Sequence, residues 1–277
     1  MNVPAQRIDR TALIDAKAEL ADDVVVETFA ILEGNVRLGP GCRIRPGAHL
    51  IGPIVMGRDN LVGSNTVIGD RPQHLGYRDE PTGVTIGDGN RFGAKVTIHR
   101  GTSGTGQTHI GDNNRFLTGS HVGHDCHIGN GCAILNNALI GGHCVLGDGA
   151  SVSRNAAVHQ CCQLGKFASV SATSMATKDV PPFVVLSGFN NIAGVNISGL
   201  RRGGLDAAQI AEIHRLFEIV YRCGLNVPNA MKRLEEELGP IEVVREFVDF
   251  VRSSKRGISV LSSGKVNHDE IPDPAEA

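Results

Sequence analysis

Four of the chain's eleven histidines, His121, His124, His143 and His159, lie close together in the sequence. The first two belong to the run His121-Val122-Gly123-His124-Asp125-Cys126. A neutral imidazole titrates near physiological pH and is the commonest general base. Asp125, directly after His124, can orient or polarise it as a carboxylate does in hydrolytic triads. Several imidazoles near one another can instead bind zinc or another divalent ion. Either chemistry requires the four histidines to be held on one rigid face.

The element that holds them is set by a period of six. Apolar residues recur in one frame from Ile8 through Leu20, Val26, Ile44 and Ile68, then from Ile86 to Ile98, and again from Ile110 to Ala176. The fourth residue after each is mostly small, as at Ala48, Cys126, Cys132, Ala138, Cys144, Ala150 and Cys162. Neither a helical period of 3.6 nor the alternation of an ordinary strand gives this pattern. A hexapeptide repeat is the signature of a parallel β-helix, whose coils are stable only when stacked. The fold class expected is mainly β, a parallel β-helix followed by a small α-helical part.

Three hexapeptides make one coil, so residues eighteen apart stack about 4.8 Å from each other. Gly142 then lies over His124 and His159 over Gly141, with His143 beside Gly142. His121 precedes His124 by half a hexapeptide and joins the same neighbourhood. The period therefore gathers the histidines on one face and makes that face a candidate site, leaving base and metal both open. It also accounts for the cysteines. Cys42, Cys126, Cys132, Cys144 and Cys162 all take the small inward slot, where a thiol acts as a small hydrophobe. An odd count of seven with no Cys-x-x-Cys pair supports neither a disulfide framework nor a zinc ribbon.

Two stretches, 70–85 and 100–109, break the frame and return in register, so they read as loops extruded from a solenoid covering 1–187. Long loops on a rigid scaffold are where binding residues concentrate. A Gly- and Asn-rich connector spans 188–204. Helical periodicity then runs through Ile210, Ile213, Leu216, Phe217 and Val220, with Asp206 and Gln209 as a capping pair and Gly224 as a stop. A second helix starts near Pro228, a third spans about 241–253, and the helical part reaches 261. The polar tail 262–277 reads as disordered.

Composition agrees. Glycine is 35 of 277 residues and Phe, Tyr and Trp together only 4%, which suits an interior too thin for rings. A net charge of −2 argues against a nucleic-acid partner held by a basic field. No apolar run approaches the ~18 residues of a membrane span, and Met1 to Arg10 lack the order of a secretion signal. A cytoplasmic location is expected.

Further segments carry a resemblance. Glu80-Pro81-Thr82, Val96-Thr97-Ile98-His99-Arg100-Gly101-Thr102, the His121–Cys126 run, Val158-His159-Gln160, Asp179-Val180-Pro181-Pro182, Gly194-Val195-Asn196-Ile197 and Gly199-Leu200-Arg201-Arg202 together resemble UDP-N-acetylglucosamine O-acyltransferases of lipid A biosynthesis. The likeness covers nearly the whole chain. It implies a homotrimer of left-handed β-helices with active sites in the clefts between subunits. It also implies acyl transfer from the phosphopantetheine thioester of an acyl-carrier protein to the sugar 3-hydroxyl of a nucleotide-sugar acceptor, with no tightly bound cofactor and no metal. His124 matches the general base, Asp125 its assistant and Gly142 the backbone N–H that stabilises the oxyanion. Gln73, His74, His121, His143, His159, Gln160, Asn196 and Ser198 match substrate-binding positions. Ala172 matches the position governing acyl-chain length, and Arg202 a basic position at the carrier-protein docking surface.

The chain also departs from that pattern. His74 and Gly76 stand where the family usually has an acidic residue and a lysine, Ser198 where it has Glu, and Gly203 where it has a further Arg. These positions serve mostly the sugar nucleotide, so a different acceptor, another nucleotide sugar or an amino sugar acylated on nitrogen, is the main alternative. Two other classes stay open on sequence: zinc-dependent hydration with His124 and His143 as ligands, and a non-catalytic solenoid.

Overall fold

Each hexapeptide forms one short strand and one bend. In most of the strands, such as Arg43–Ile44, His127–Ile128 and Val145–Leu146, the first residue faces out and the frame residue is buried. The protein is described by a computed structural model covering residues 7–239 and 241–261; the tail 262–277 lies outside the described residues. The strands form three parallel walls. The first wall begins at Arg7–Ile8, the second at Leu13–Ile14 and the third at Glu19–Leu20. Together they make a left-handed parallel β-helix.

The frame residues from Val26 to Ala176 fill the interior, and the five inward cysteines are buried with them. Ile8 is 43% exposed in the first described coil, beneath which no other coil of the described residues lies. Phe92 and Phe116 stack inside with ring centroids 4.9 Å apart.

Register shows where the loops enter. Ile134 pairs with Val152, eighteen residues on. Ile68, by contrast, pairs with Ile98, and Ile98 with Val122, so each insertion lengthens a coil without tilting the stack. Both loops are shorter than the sequence suggests. Val67–Asp70, Gly83–Ile86 and Gln107–Ile110 are strands, and the last two pair over four residues. Val84 and Thr108 point inward and are fully enclosed, so alternation carries these strands past the hexapeptide frame. The extruded segments narrow to 71–82 and 100–106.

The stretch 188–204 is a structured closure. Asn191–Val195 pairs antiparallel with Val184–Ser187 and caps the open end of the first wall. A short helix α1 (Ile197–Arg202) follows. Then come α2 (Ala207–Phe217), continued by a π turn at Glu218–Arg222, α3 (Val227–Leu238) and α4 (Glu242–Ser253). Asp206 and Gln209 form the expected capping box. Phe183, Leu200, Ile213, Leu216, Leu234 and Phe247 make a second core against the end of the coil. Among the described residues no helix is long and apolar enough to cross a membrane.

Candidate active site

The histidines sit where the second wall turns into the third. Backbone bonds from His143 N to His124 O (2.8 Å) and from Cys161 N to Gly142 O (2.9 Å) stack the corners of three coils. One column reads His124, Gly142, Gln160. The neighbouring column, Asp125, His143, Cys161, is left-handed throughout, with φ of 61°, 58° and 62°. Asp and His tolerate that region better than most residues, so the corner that turns the chain also presents the polar groups.

Asp125 is the centre of the arrangement, its side chain 0% exposed. Oδ1 accepts from the Thr102 backbone N–H (2.8 Å) and from the Thr105 hydroxyl. Oδ2 lies 2.6 Å from His124 Nδ1 and 3.5 Å from His143 Nε2. Burial alone raises the carboxyl's pKa, but the bonds from Thr105, His124 and Thr102 outweigh it and hold the pKa below the ordinary value. The carboxylate is thus ionised and fixed, and it orients His124 so that Nε2 points away from it.

Gly142 lies against that Nε2. A Cβ built on Gly142 would come within 2.8 Å of His124 Nε2 and 2.9 Å of its Cε1, so only glycine leaves the imidazole its place. Among the described residues the Gly142 N–H donates no hydrogen bond. The ring of His74 meets His124 edge-on at 5.4 Å, and that of His143 does so at 5.0 Å. The first loop delivers His74, whose Nδ1 accepts from the Gly76 N–H (3.1 Å).

The second loop supplies what the sequence did not reveal. Thr102 and Thr105 hold Asp125, and the Thr108 hydroxyl, just past the loop, accepts from the Asp125 N–H (2.9 Å). The two loops brace one another. Arg100 Nε donates to Gly69 O (2.6 Å), and His99 Nδ1 lies 2.5 Å from Arg71 O. The only advance signal was the register, which returns the second loop beside the corner holding His124.

His121 is one step removed. Its Nδ1 lies 2.9 Å from Thr97 Oγ1 and its ring 5.3 Å from that of His99. Burial, helped by the His99 charge, lowers its pKa to about 4, so it is neutral at pH 7. An unfolded chain takes up a proton at this residue below pH ~6.5, whereas the folded chain takes it up only near 4. Stability should therefore fall as pH drops through that window, by about 2 kcal/mol after allowance for partial exposure. His121→Asn should lose less melting temperature than the parent between pH 6.5 and 4. Equal losses would rule His121 out as the source.

The other expected residues divide. Gln73 and Gln160 are exposed beside His74 and above Gly142, and Ala172 is exposed where the first wall turns into the second. Asn196 has a structural part. Its Oδ1 accepts from Gly199 N (3.0 Å) to cap α1, and its Nδ2 donates to Phe167 O (2.8 Å), which leaves one N–H and one lone pair of the amide for a further partner. Ser198 and Arg202 lie on α1, half-buried and exposed respectively. Gly203 has a packing reason. A Cβ there would come within 2.4 Å of the Phe167 ring, so no larger residue fits unless that ring moves.

The donor atoms of His124, Asp125 and His143 lie within 4.8 Å of one another, close enough for a cation to be considered. Two of them, however, are hydrogen-bonded to each other, and the second carboxylate oxygen is held by two threonine donors. The donor set is therefore arranged as a base with its orienting acid.

A carboxylate-backed imidazole on the edge of a hexapeptide β-helix is suited to general-base chemistry such as acyl transfer. Residues 107–142 match the model for bacterial transferase hexapeptides (six repeats), and 179–259 match that for the second domain of UDP-N-acetylglucosamine O-acyltransferase. The chain is similar to the acyl-[acyl-carrier-protein]–UDP-N-acetylglucosamine O-acyltransferases of Syntrophobacter fumaroxidans and Halorhodospira halophila. It is 41% identical to the first over 255 residues, spanning 91% of this chain and 99% of the relative. To the second it is 40% identical, spanning 91% and 98%. The solved UDP-N-acetylglucosamine acyltransferase of Francisella novicida superposes with a TM-score of 0.89 at 31% identity, over 92% of this chain and 95% of that one. The chain belongs to the UDP-N-acetylglucosamine O-acyltransferase family.

Proposed function

We propose that this protein transfers a 3-hydroxyacyl chain from acyl-carrier protein to the 3-hydroxyl of UDP-N-acetylglucosamine, the first step of lipid A biosynthesis. The observation that carries the reading is the buried His124–Asp125 pair, with the imidazole Nε2 set against Gly142. In this mechanism His124 Nε2 takes the hydroxyl proton as the sugar oxygen attacks the thioester carbonyl. Asp125 stabilises the imidazolium that forms, and the free Gly142 N–H donates to the oxyanion. Collapse expels the carrier's thiolate, and His124 returns the proton to sulfur.

His74, Gln73, His121, His143, His159 and Gln160 would surround the acceptor. Asn196 would contribute through the shape it gives α1, with Ser198 and Arg202 on that helix toward the nucleotide and the carrier protein. The protein would act in the cytoplasm as a homotrimer, since a solenoid edge open to solvent forms a cleft only against a neighbour. The assay is direct: incubate the protein with 3-hydroxyacyl-carrier thioesters and a panel of UDP-sugars, and read product masses. If UDP-N-acetylglucosamine stays unmodified while a 3-amino analogue or another sugar is acylated, the acceptor is wrong and the chemistry stands. His74, packed on the base at a position where the family carries an acid, is the observation favouring that second reading.

Ala172 stands across the second wall from the histidine edge, at the coil of Met175–Ala176. Leu139, Ala157 and Met175 stack above His121, which places this coil ~14 Å up the solenoid from the His121 coil. A side chain there would close the far end of an acyl groove. Ala172→Met is expected to shift chain preference shorter by two or more carbons and Ala172→Gly longer, read in competition between carrier thioesters of different length.

A further inference from the structure

After α4 the chain crosses the histidine edge once more, beside His159. The segment from Ser254 folds back onto the end of the coil and is clamped by the buried Asp179. Ser254 Oγ donates to Asp179 Oδ2 (2.6 Å), Asp179 N donates to Gly257 O (3.0 Å), and Ser259 N donates to Asp179 O (2.7 Å). Between these anchors Arg256 reaches sideways over the corner. Its Nε donates to Thr177 O (3.1 Å), and its Nη2 lies 3.4 Å from His159 Nδ1.

Gly123, Gly141, His159 and Thr177 follow one another at the coil spacing. The guanidinium therefore stands on the same edge as His124, about two coils or ~10 Å along it. A guanidinium has five N–H donors, and at most two are engaged here, one by the Thr177 carbonyl and one facing a ring nitrogen of His159. Among the described residues no carboxylate pairs with Arg256. Asp179, the acid that anchors this segment, is taken up by Ser254 and by the Gln163 N–H (2.8 Å). His159 Nδ1 also lies 3.2 Å from Gln160 O, so it accepts from Arg256 only when it carries no proton itself. Lys178 continues the column of His124, Gly142 and Gln160 and is exposed at the same level. The upper end of the edge thus holds an oriented, uncompensated guanidinium with a second cation beside it. A planar fork of N–H groups is matched to phosphate oxygens.

We propose that Arg256 is a phosphate-binding residue of this cleft, presenting its remaining N–H groups to a phosphate of one of the two substrates. The inference rests on the acyl-transfer reading, because that reaction brings in two phosphate carriers: the nucleotide sugar and the carrier protein's phosphopantetheine arm.

The test uses the full chain, with calorimetry of UDP, of 3-hydroxyacyl-phosphopantetheine and of 3-hydroxyacyl-pantetheine, which lacks the phosphate. Arg256→Gln is expected to weaken one phosphate ligand by about tenfold or more, and Arg256→Lys to recover part of that loss. Weaker UDP binding assigns the residue to the nucleotide. Loss of the preference for the phosphorylated donor assigns it to the carrier arm. If both bindings stay within twofold of the parent, the proposal is overturned. It is overturned equally if the variant only melts earlier, since Arg256 is then a latch for the C-terminal segment. A parent protein that binds these ligands yet never acylates UDP-N-acetylglucosamine would sink the proposed function while leaving this assignment standing.

Discussion

Replacement of His124 by alanine is expected to lower acyl transfer by about 10³-fold, with little change in the fold. General-base catalysis contributes roughly 10²–10⁴, and the site places no equivalent substitute. His143 Nε2 is 3.5 Å from Asp125 Oδ2, so that nitrogen faces the carboxylate rather than a substrate. The ring of His74 meets the base only edge-on. The fold should tolerate the change because His124 sits at a corner and its inward-facing neighbours Val122 and Cys126 carry the packing. Asp125 would lose one donor, but Thr102 and Thr105 still hold Oδ1, and His143 is placed to move in on Oδ2. Loss of one such bond costs about 1–3 kcal/mol, which for a chain of this size is a melting shift of a few degrees. The measurement is initial-rate acyl transfer beside a thermal melt. Retention of more than a tenth of the parent rate would remove His124 from the role of base, and with it the proposed mechanism.

How much of this could be read from sequence follows from the range over which each feature is determined. The walls were legible because the hexapeptide frame repeats a local rule: every sixth side chain points inward. The columns followed by arithmetic, and the His124–Gly142 juxtaposition is such a column. The edges of the two loops were less legible. Val84 and Thr108 extend their strands inward by alternation, a second rule that overlaps the first and hides where the extrusion begins. The threonine cradle of Asp125 was not legible at all. Thr102 and Thr105 reach the carboxylate from a loop more than one coil away in sequence, and nothing in their spacing announces it. α1 is hidden for another reason. It is short, and its one strong local signal, the Asn196 cap, also looks like a polar residue awaiting a ligand. Gly203 looks in sequence like a missing cation, whereas the Phe167 ring occupies the space a side chain would need.

The cradle makes Asp125→Asn the more discriminating substitution. The two oxygens of Asp125 are not equivalent: Oδ1 accepts from the Thr102 N–H and the Thr105 hydroxyl, and Oδ2 faces the imidazoles. An asparagine in the same place must keep its oxygen toward Thr102, because a backbone N–H can only donate. Its amide nitrogen then faces His124 Nδ1 and donates to it. That bond fixes the proton of the neutral imidazole on Nε2, the atom that has to take the proton from the acceptor hydroxyl. The residue's size, its left-handed backbone at φ 61° and most of its hydrogen bonds are preserved, and asparagine is well suited to that conformation. The rate should nonetheless fall by about 10³–10⁴-fold, the scale seen when a triad carboxylate is replaced by its amide. Stability at neutral pH should change by less than it does for Asp125→Ala, which leaves the buried Thr102 N–H without an acceptor. The acid limb supplies an independent check. Asp125 is held ionised below the usual carboxylate range, so its contribution is complete above pH ~4 and is lost as pH falls through its lowered pKa. The amide variant lacks that loss and should show a flatter melting-temperature profile below pH 4. A variant that keeps a tenth of the activity, with the parent's acid profile, would mean that the carboxylate neither sets the tautomer nor carries the charge.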